Sequence, residues 1–176
     1  MIFKKTKISG VFVIKPEIKE DERGWFTRTF CQDEFEKNDI DFPIVQVNRS
    51  FTKKKGTIRG LHFQVAPKEE GKIVHCLRGS IYDVALDLRK GSETYGQWHA
   101  EELTENNRKM LFTPKGVAHG LQTLEDGCVI QYFMSEFYSS EHSSGARWDD
   151  PFFNIKWPLT PTAISEKDKN WPLIQK

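Results

Sequence analysis

Short apolar segments separated by turn residues constrain the fold of this chain more than any other feature. Ile73–Leu77 and Ile81–Leu88 are two such segments, with Arg78-Gly79-Ser80 between them. Runs of this length, closed by glycine and small polar residues, are typical of β-strands joined by tight turns. The pattern predicts a β-hairpin. Because side chains alternate along a strand, Tyr82 and Val84 would lie on the buried face of the second segment.

The rest of the chain repeats this pattern, with thirteen phenylalanines and twelve glycines among short apolar runs. Further strands are predicted at residues 11–14, 26–30, 44–51, 57–64, 96–102, 110–112 and 128–134. Helices are expected only at 32–38, at 104–108 and in a turn near Ser165. The tail from Pro151 should run irregularly, held by its tryptophans. So many short antiparallel strands require two packed sheets or a closed barrel, and therefore an all-β fold.

The composition limits the domain count and the kinds of partner. A chain of 176 residues fits one domain with one substantial core. Lys plus Arg number 26 and Asp plus Glu 25, and this balance does not favour nucleic acid or a membrane as a partner. No apolar segment has the length of a signal peptide or membrane span, so a cytoplasmic protein is expected. Cys31, Cys76 and Cys128 lack the spacing of a disulfide framework or zinc site and are expected to be reduced.

One strand carries the first candidate for chemistry. In Arg59-Gly60-Leu61-His62-Phe63-Gln64, alternation places His62 and Gln64 on one face with Gly60, and places Arg59 on the other. A lone strand histidine is more often structural than catalytic. A polar face beside a residue without a side chain is, however, also typical of the floor of a ligand cavity.

Four other polar residues lie in similar strand or turn contexts, and each has a simpler structural explanation. Lys72 starts a strand, Tyr132 fits a core aromatic residue, and Asp168 follows Ser165 at the spacing of a helix cap. His119 ends the run Pro114–His119, which resembles part of a metal-binding cupin site. The His-x-His pair of such sites is absent at His62, so no bound metal is expected.

Taken together, these segments resemble the nucleotide-sugar 3,5-epimerases of the cupin superfamily, the dTDP-4-dehydrorhamnose 3,5-epimerase family. The resemblance covers nearly the whole chain. The matching blocks are Asp21–Phe26, Gln46–Asn48, Arg59–Gln64, Gly71–Val74, Arg78–Val84, Pro114–Gly120, Arg147–Pro151 and Ser165–Asp168. Arg28 departs from the pattern, because many members have an acidic residue there.

The resemblance implies a cupin-type jelly roll that works as a homodimer, without a metal or other cofactor. The N-terminal strands, in residues 1–50, would lie at the dimer interface. Residues 51–140 would form the jelly-roll core, and residues 141–176 a tail that carries Asp168.

The resemblance also implies roles for individual residues. His62 would be the base, hydrogen-bonded to Asp168, and Tyr132 would return a proton from the opposite face of the sugar. Lys72 would hold the enolate oxygen. The remaining implied residues bind substrate: Arg23 and Arg59 the diphosphate, and Gln46, Asn48, His119 and Tyr138 the sugar and nucleotide subsites. With the N-terminal strands exchanged between subunits, Arg23 and Arg28 would reach the neighbour's nucleotide.

These expectations predict an isomerase that inverts C3 and C5 of a nucleotide-linked 4-keto-6-deoxyhexose. The substrate would be dTDP-4-dehydro-6-deoxy-D-glucose, and the product dTDP-4-dehydro-L-rhamnose would serve lipopolysaccharide O-antigen or another cell-surface polysaccharide. One alternative is an epimerase that acts at C3 or C5 alone, on a CDP-linked sugar for example. Others are a metal-dependent cupin enzyme using His62 and His119, and a sugar-nucleotide binder without catalysis.

Overall fold

The computed structural model describes residues 1–174, which form thirteen short strands and two helices of one turn each. The elements are β1 (Ile2–Lys5), β2 (Phe12–Lys15), β3 (Ile18–Asp21), β4 (Gly24–Thr27), α1 (Gln32–Glu36), β5 (Gln46–Thr52), β6 (Ile58–Gln64), β7 (Lys72–Arg78), β8 (Ser80–Asp87), β9 (Trp98–Thr104), β10 (Met110–Thr113), β11 (Val117–Thr123), β12 (Cys128–Met134), β13 (Ser143–Gly145) and α2 (Glu166–Lys169).

Two antiparallel sheets face each other, which confirms the predicted all-β jelly roll with a few short helices. The larger sheet has the order β1-β2-β10-β7-β12-β5, and the smaller has the order β13-β6-β11-β8-β9. β3 and β4 pair only with each other and form a separate hairpin. The first two strands thus belong to the larger sheet, while the hairpin that follows them stands apart from both sheets.

Apolar side chains fill three layers. The central layer lies between the sheets and includes Val74, Ile81 and Leu111. A second cluster covers the outside of the larger sheet, where Phe35 of α1 packs on Phe112 at a ring distance of 6.1 Å. A third cluster lies between the smaller sheet and the C-terminal tail. Both faces of each sheet are therefore covered over part of their area, as a sandwich with additional outer segments requires.

The predicted hairpin of β7 and β8 is wrong, because the two strands lie in different sheets. Gly79 joins them with a φ of +81°, and a Cβ there would come within 2.8 Å of Cys128 Sγ. The predicted buried face is confirmed at Val84, which the tail covers, but the opposite face is buried as well, because Ile81 points into the central layer.

Other differences concern weak sequence signals. The predicted helix at residues 104–108 is wrong, since Thr104 ends β9 and residues 105–107 form a turn. The apolar pattern did not predict β1, β3, β11 and β13; β11 in particular is fully buried although it contains His119 and Gln122.

The three cysteines are free, as expected, with Cys76 and Cys128 buried. Across residues 1–174, every helix is too short or too polar to cross a membrane.

Candidate active site

A cavity of about 710 Å³ contains most of the predicted site residues. Side chains from both sheets and from the tail line it. The predicted residues found there are Gln46, Asn48, Arg59, His62, Lys72, His119, Tyr132, Tyr138 and Asp168. Arg23 and Arg28 are the two that do not line it.

A bulge in β6 puts both Arg59 and His62 on the cavity side. His62 pairs with His119, and Arg59 pairs with Leu121, so two residues of β6 oppose the single Gly120. This extra residue shifts the alternation, and the predicted placement of Arg59 and His62 on opposite faces is wrong. Gly60 has a φ of +108°, and a Cβ there would lie 2.6 Å from Gly120 Cα. Only glycine fits this close approach.

The imidazole of His62 is held by the C-terminal tail. Asp168 Oδ1 lies 2.6 Å from His62 Nε2, and the Gly60 N–H donates to Asp168 Oδ2 at 3.2 Å. The predicted cap is also present, since Asp168 N–H donates to Ser165 Oγ at the start of α2. Burial opposes ionisation of Asp168, but the hydrogen bonds from His62 and Gly60 outweigh it and hold its pKa below the ordinary value. Asp168 is therefore an ionised carboxylate at neutral pH.

Lys72 lies beside the same histidine in a buried ion pair. Its Nζ donates to the carbonyl oxygen of His62 at 2.9 Å and lies 2.8 Å from Glu70 Oε1. Both side chains are less than a tenth exposed, and both line the cavity. Sequence reasoning missed Glu70, although it lies two positions before Lys72.

Tyr132 reaches the cavity from the larger sheet. Its hydroxyl lies 3.2 Å from Ser50 Oγ, and its ring meets that of His119 edge to face at 6.1 Å. Burial raises the pKa of Tyr132 to about 12, so the phenol keeps its proton at neutral pH. Ser50 was also missed, although Gln46, Asn48 and Ser50 alternate along β5 and all three line the cavity.

A second histidine–aspartate pair lies behind the first. His119 Nε2 and Asp83 Oδ1 are 2.7 Å apart, and both side chains are buried. Asp83 Oδ2 has no hydrogen-bond partner among residues 1–174. Burial raises the pKa of Asp83, against the effect of His119 and Lys72.

The cavity rim contains polar groups and the guanidinium of Arg59. Arg59 Nε donates to Thr52 Oγ1 at 2.9 Å, which fixes the guanidinium beside the opening. Gln46 Nε2 donates to Asn48 Oδ1, and Gln46 Oε1 accepts from the N–H of Tyr138, a residue that is 63% exposed. A positive group beside amides and an exposed aromatic ring is a suitable surface for a phosphorylated ligand with a base.

Arg23 and Arg28 lie away from this cavity. Arg23 is in the turn of the β3–β4 hairpin and pairs with Asp21 at 2.6 Å. Arg28 follows β4 and pairs with Glu34 of α1 at 3.0 Å. The hairpin also exposes Phe26, at 68%. Within one chain these two arginines do not complete the site.

Among residues 1–174, three or more His, Cys, Asp or Glu side chains are nowhere placed to hold a metal ion together. His62 and His119 are each hydrogen-bonded to their own aspartate. The cavity is thus lined by groups for proton transfer and hydrogen bonding.

Comparison with known proteins identifies the family. The family model described as dTDP-4-dehydrorhamnose 3,5-epimerase matches residues 5–176 of this chain. The chain belongs to this family. The epimerase of Methanothermobacter thermautotrophicus is 46% identical over 172 residues, which cover 96% of this chain and 92% of that protein. Like its relatives, the protein is an isomerase.

Solved structures of the epimerase family have the same fold. That of dTDP-4-dehydrorhamnose 3,5-epimerase from Bacillus anthracis, with TDP and PPi bound, superposes with a TM-score of 0.95 at 38% identity, covering 98% of this chain and 99% of that one. The Legionella pneumophila dTDP-6-deoxy-D-glucose-3,5-epimerase, in complex with dTDP-4-keto-L-rhamnose, superposes with a TM-score of 0.92 at 36% identity. The match covers 98% of this chain and 92% of that one. The resemblance inferred from the sequence is confirmed.

Proposed function

We propose that the protein inverts C3 and C5 of dTDP-4-dehydro-6-deoxy-D-glucose and so forms dTDP-4-dehydro-L-rhamnose. One observation carries the proposal: a histidine on the smaller sheet and a tyrosine on the larger sheet line one cavity. Inverting a carbon requires removal of a proton from one face and delivery to the other. A base and an acid on opposing sheets meet that requirement.

In this mechanism His62 removes a proton from a carbon beside the C4 ketone. Asp168 holds the imidazole through Nε2, which leaves Nδ1 as the nitrogen that faces the sugar. The electron pair moves onto the ketone oxygen and forms an enolate, which Lys72 stabilises by its charge and a hydrogen bond. Tyr132 then protonates the carbon from the other face, since its raised pKa keeps the phenol protonated until that step. A positioned acid or base contributes about 10²- to 10⁴-fold to the rate.

The same groups can act on both carbons, because C3 and C5 both flank the ketone. Each inversion takes one proton from Tyr132 and places one on His62. Before the next inversion His62 must lose its proton and Tyr132 must regain one, and both do so by exchange with solvent. No redox step occurs, and none of the bonds of the diphosphate is broken.

The nucleotide end requires a second copy of the chain in this proposal. Arg59 reaches the cavity rim, but Arg23 and Arg28 lie on or beside a hairpin that projects from its own sheets. A homodimer that exchanges these hairpins would bring both arginines to the partner's diphosphate and base. The product would then supply cytoplasmic assembly of a rhamnose-containing cell-surface polysaccharide such as O-antigen.

Incubation with the 4-keto sugar in heavy water tests the chemistry. The expected result is deuterium at both C3 and C5, with the rhamnose configuration, by NMR. Label at a single carbon would indicate a single-centre epimerase, and no label would disprove the epimerase proposal. In Tyr132→Phe, His62 still removes the proton, so exchange should continue while inversion is lost.

Mixed subunits test the dimer. If Arg23 serves the partner's site, mixing inactive His62→Ala chains with weakly binding Arg23→Ala chains restores one intact site in each mixed dimer, about a quarter of all sites after random exchange. Activity no greater than the sum of the two parents would contradict an exchanged hairpin.

A further inference from the structure

Glu70 has a carboxylate oxygen that the mechanism above does not use. Its side chain is 3% exposed, and Oε1 lies 2.8 Å from Lys72 Nζ. Oε2 is buried and has no hydrogen-bond partner among the described residues, 1–174. The residue nevertheless lines the cavity. Buried carboxylate oxygens are nearly always hydrogen-bonded, because one left without a donor has lost its contact with water and gained none in exchange.

The position of this oxygen restricts what could donate to it. In the proposed function, Lys72 holds the ketone oxygen at C4, and Glu70 holds Lys72. With the sugar held in this way, Oε2 would lie near the substituents of the carbons that flank the ketone. At C5 that substituent is a methyl group, which cannot donate, whereas C3 carries a hydroxyl.

We propose that Glu70 forms a subsite for the sugar, in which Oε1 positions Lys72 and Oε2 accepts a hydrogen bond from the C3 hydroxyl. This inference rests on the proposed function for the placement of the sugar. It makes Glu70 a specificity-determining residue that favours sugars with a hydroxyl beside the ketone over 3-deoxy sugars. A site built to pair with a hydroxyl discriminates strongly against an analogue that lacks it, because its buried polar group is left unpaired.

A binding cycle with unreactive ligands tests the subsite. The probes are dTDP-6-deoxy-D-glucose, which has a hydroxyl in place of the C4 ketone, and its 3-deoxy and 2-deoxy analogues, with affinities measured by calorimetry. Wild-type protein should bind the 3-deoxy analogue about ten- to a hundred-fold more weakly than the parent, as expected for a hydrogen bond to a charged group. In Glu70→Ala the two affinities should agree within about twofold.

Glu69→Ala is the matched control. It removes a carboxylate at the preceding position, which does not line the cavity. The ratio of its affinities for the parent ligand and the 3-deoxy analogue should equal that of the wild type. Unchanged affinity for dTDP alone would show that Glu70→Ala is folded. If Glu70→Ala does not fold, Glu70→Gln is measured instead. Its amide keeps an oxygen for Lys72 but turns a donor toward the sugar. The ratio of its affinities for the parent ligand and the 3-deoxy analogue should then fall several-fold below the wild-type ratio.

Three results would overturn the subsite. They are equal wild-type affinity for the parent and the 3-deoxy analogue, an undiminished ratio in a folded Glu70 variant, and sensitivity to the 2-deoxy change alone. None of these ligands can react, so the outcome is independent of the exchange experiment. If deuterium is incorporated but the protein does not discriminate against the 3-deoxy analogue, the epimerase proposal stands without the subsite. If the protein discriminates but no deuterium is incorporated, the subsite alone remains.

Discussion

The two histidine–aspartate pairs show how differently one combination of side chains can be used. His62 and His119 are direct partners on adjacent strands, and each nitrogen–oxygen distance is 2.7 Å or less. The His62 side chain is 41% exposed, whereas that of His119 is 7% exposed. The first imidazole can therefore meet a ligand with little rearrangement, while the second is almost wholly surrounded by protein.

The aspartates differ in their hydrogen bonds as much as in their burial. Asp168 has a partner on each oxygen, His62 on one and the Gly60 N–H on the other. Asp83 is fully buried and, within residues 1–174, has a partner on Oδ1 alone. Their pKa values accordingly shift in opposite directions. A neighbouring histidine does not by itself lower the pKa of a carboxylate; the number of donors and the access of solvent decide the direction of the shift.

The largest expected effect belongs to the exposed pair. Replacing His62 by alanine should slow solvent exchange into the substrate by about 10²- to 10⁴-fold, because the base is lost. The melting temperature should change little, since the side chain is partly exposed. NMR of the exchange and thermal unfolding measure the two effects. Full retention of exchange would show that His62 is not the base.

The next comparison removes each carboxylate in turn. Asp168→Ala should slow exchange by about ten- to a hundred-fold, the value of a hydrogen bond to a charged imidazole. Asp83→Ala should instead lower the free energy of unfolding by about 1–3 kcal/mol, since it leaves His119 buried without its partner. Denaturant unfolding and solvent-exchange rates, measured for both variants, test whether one variant loses mainly activity and the other mainly stability. The contrast between the pairs fails if both variants lose activity and stability in the same proportion.

The smallest effect is a difference in pH dependence. The pKa of Asp168 lies below its ordinary value of 3.8, so its stabilising contribution is present above that pH and is lost as the pH falls through the lower value. The pKa of Asp83 is raised above 3.8, so its contribution is most favourable at low pH and declines as the pH rises. The stability cost of Asp168→Asn should thus shrink on acidification, and that of Asp83→Asn should grow. Unfolding curves at several pH values should show slopes of opposite sign; equal slopes would contradict the assignment.

Much of the fold could be predicted from local patterns, and much of the site from the resemblance to the family. Strand β12 was placed without error because an apolar run, broken by Gln131 alone, spans it. Nine of the eleven predicted site residues line one cavity, because the resemblance supplied positions that no local pattern contains. The cap of α2 followed from Ser165 and Asp168 alone.

The remaining features depend on contacts distant in sequence. Nothing around Gly79 distinguishes a hairpin turn from a crossing between sheets, since both use a positive φ. The bulge at Gly60 depends on its partner strand, and it reverses the face of Arg59. Asp83 looked like a solvent-facing residue of an alternating strand, and only the position of His119 shows why it is buried.

The contact between Asp168 and His62 spans 106 positions of the chain. Its carboxylate arrives on a tail that pairs with the start of β6, where Ile58 N–H donates to the carbonyl of Ala163. During translation the imidazole would be made 106 positions before its partner. A chain that stopped after β13 would contain every strand of both sheets and still lack the carboxylate that holds the base.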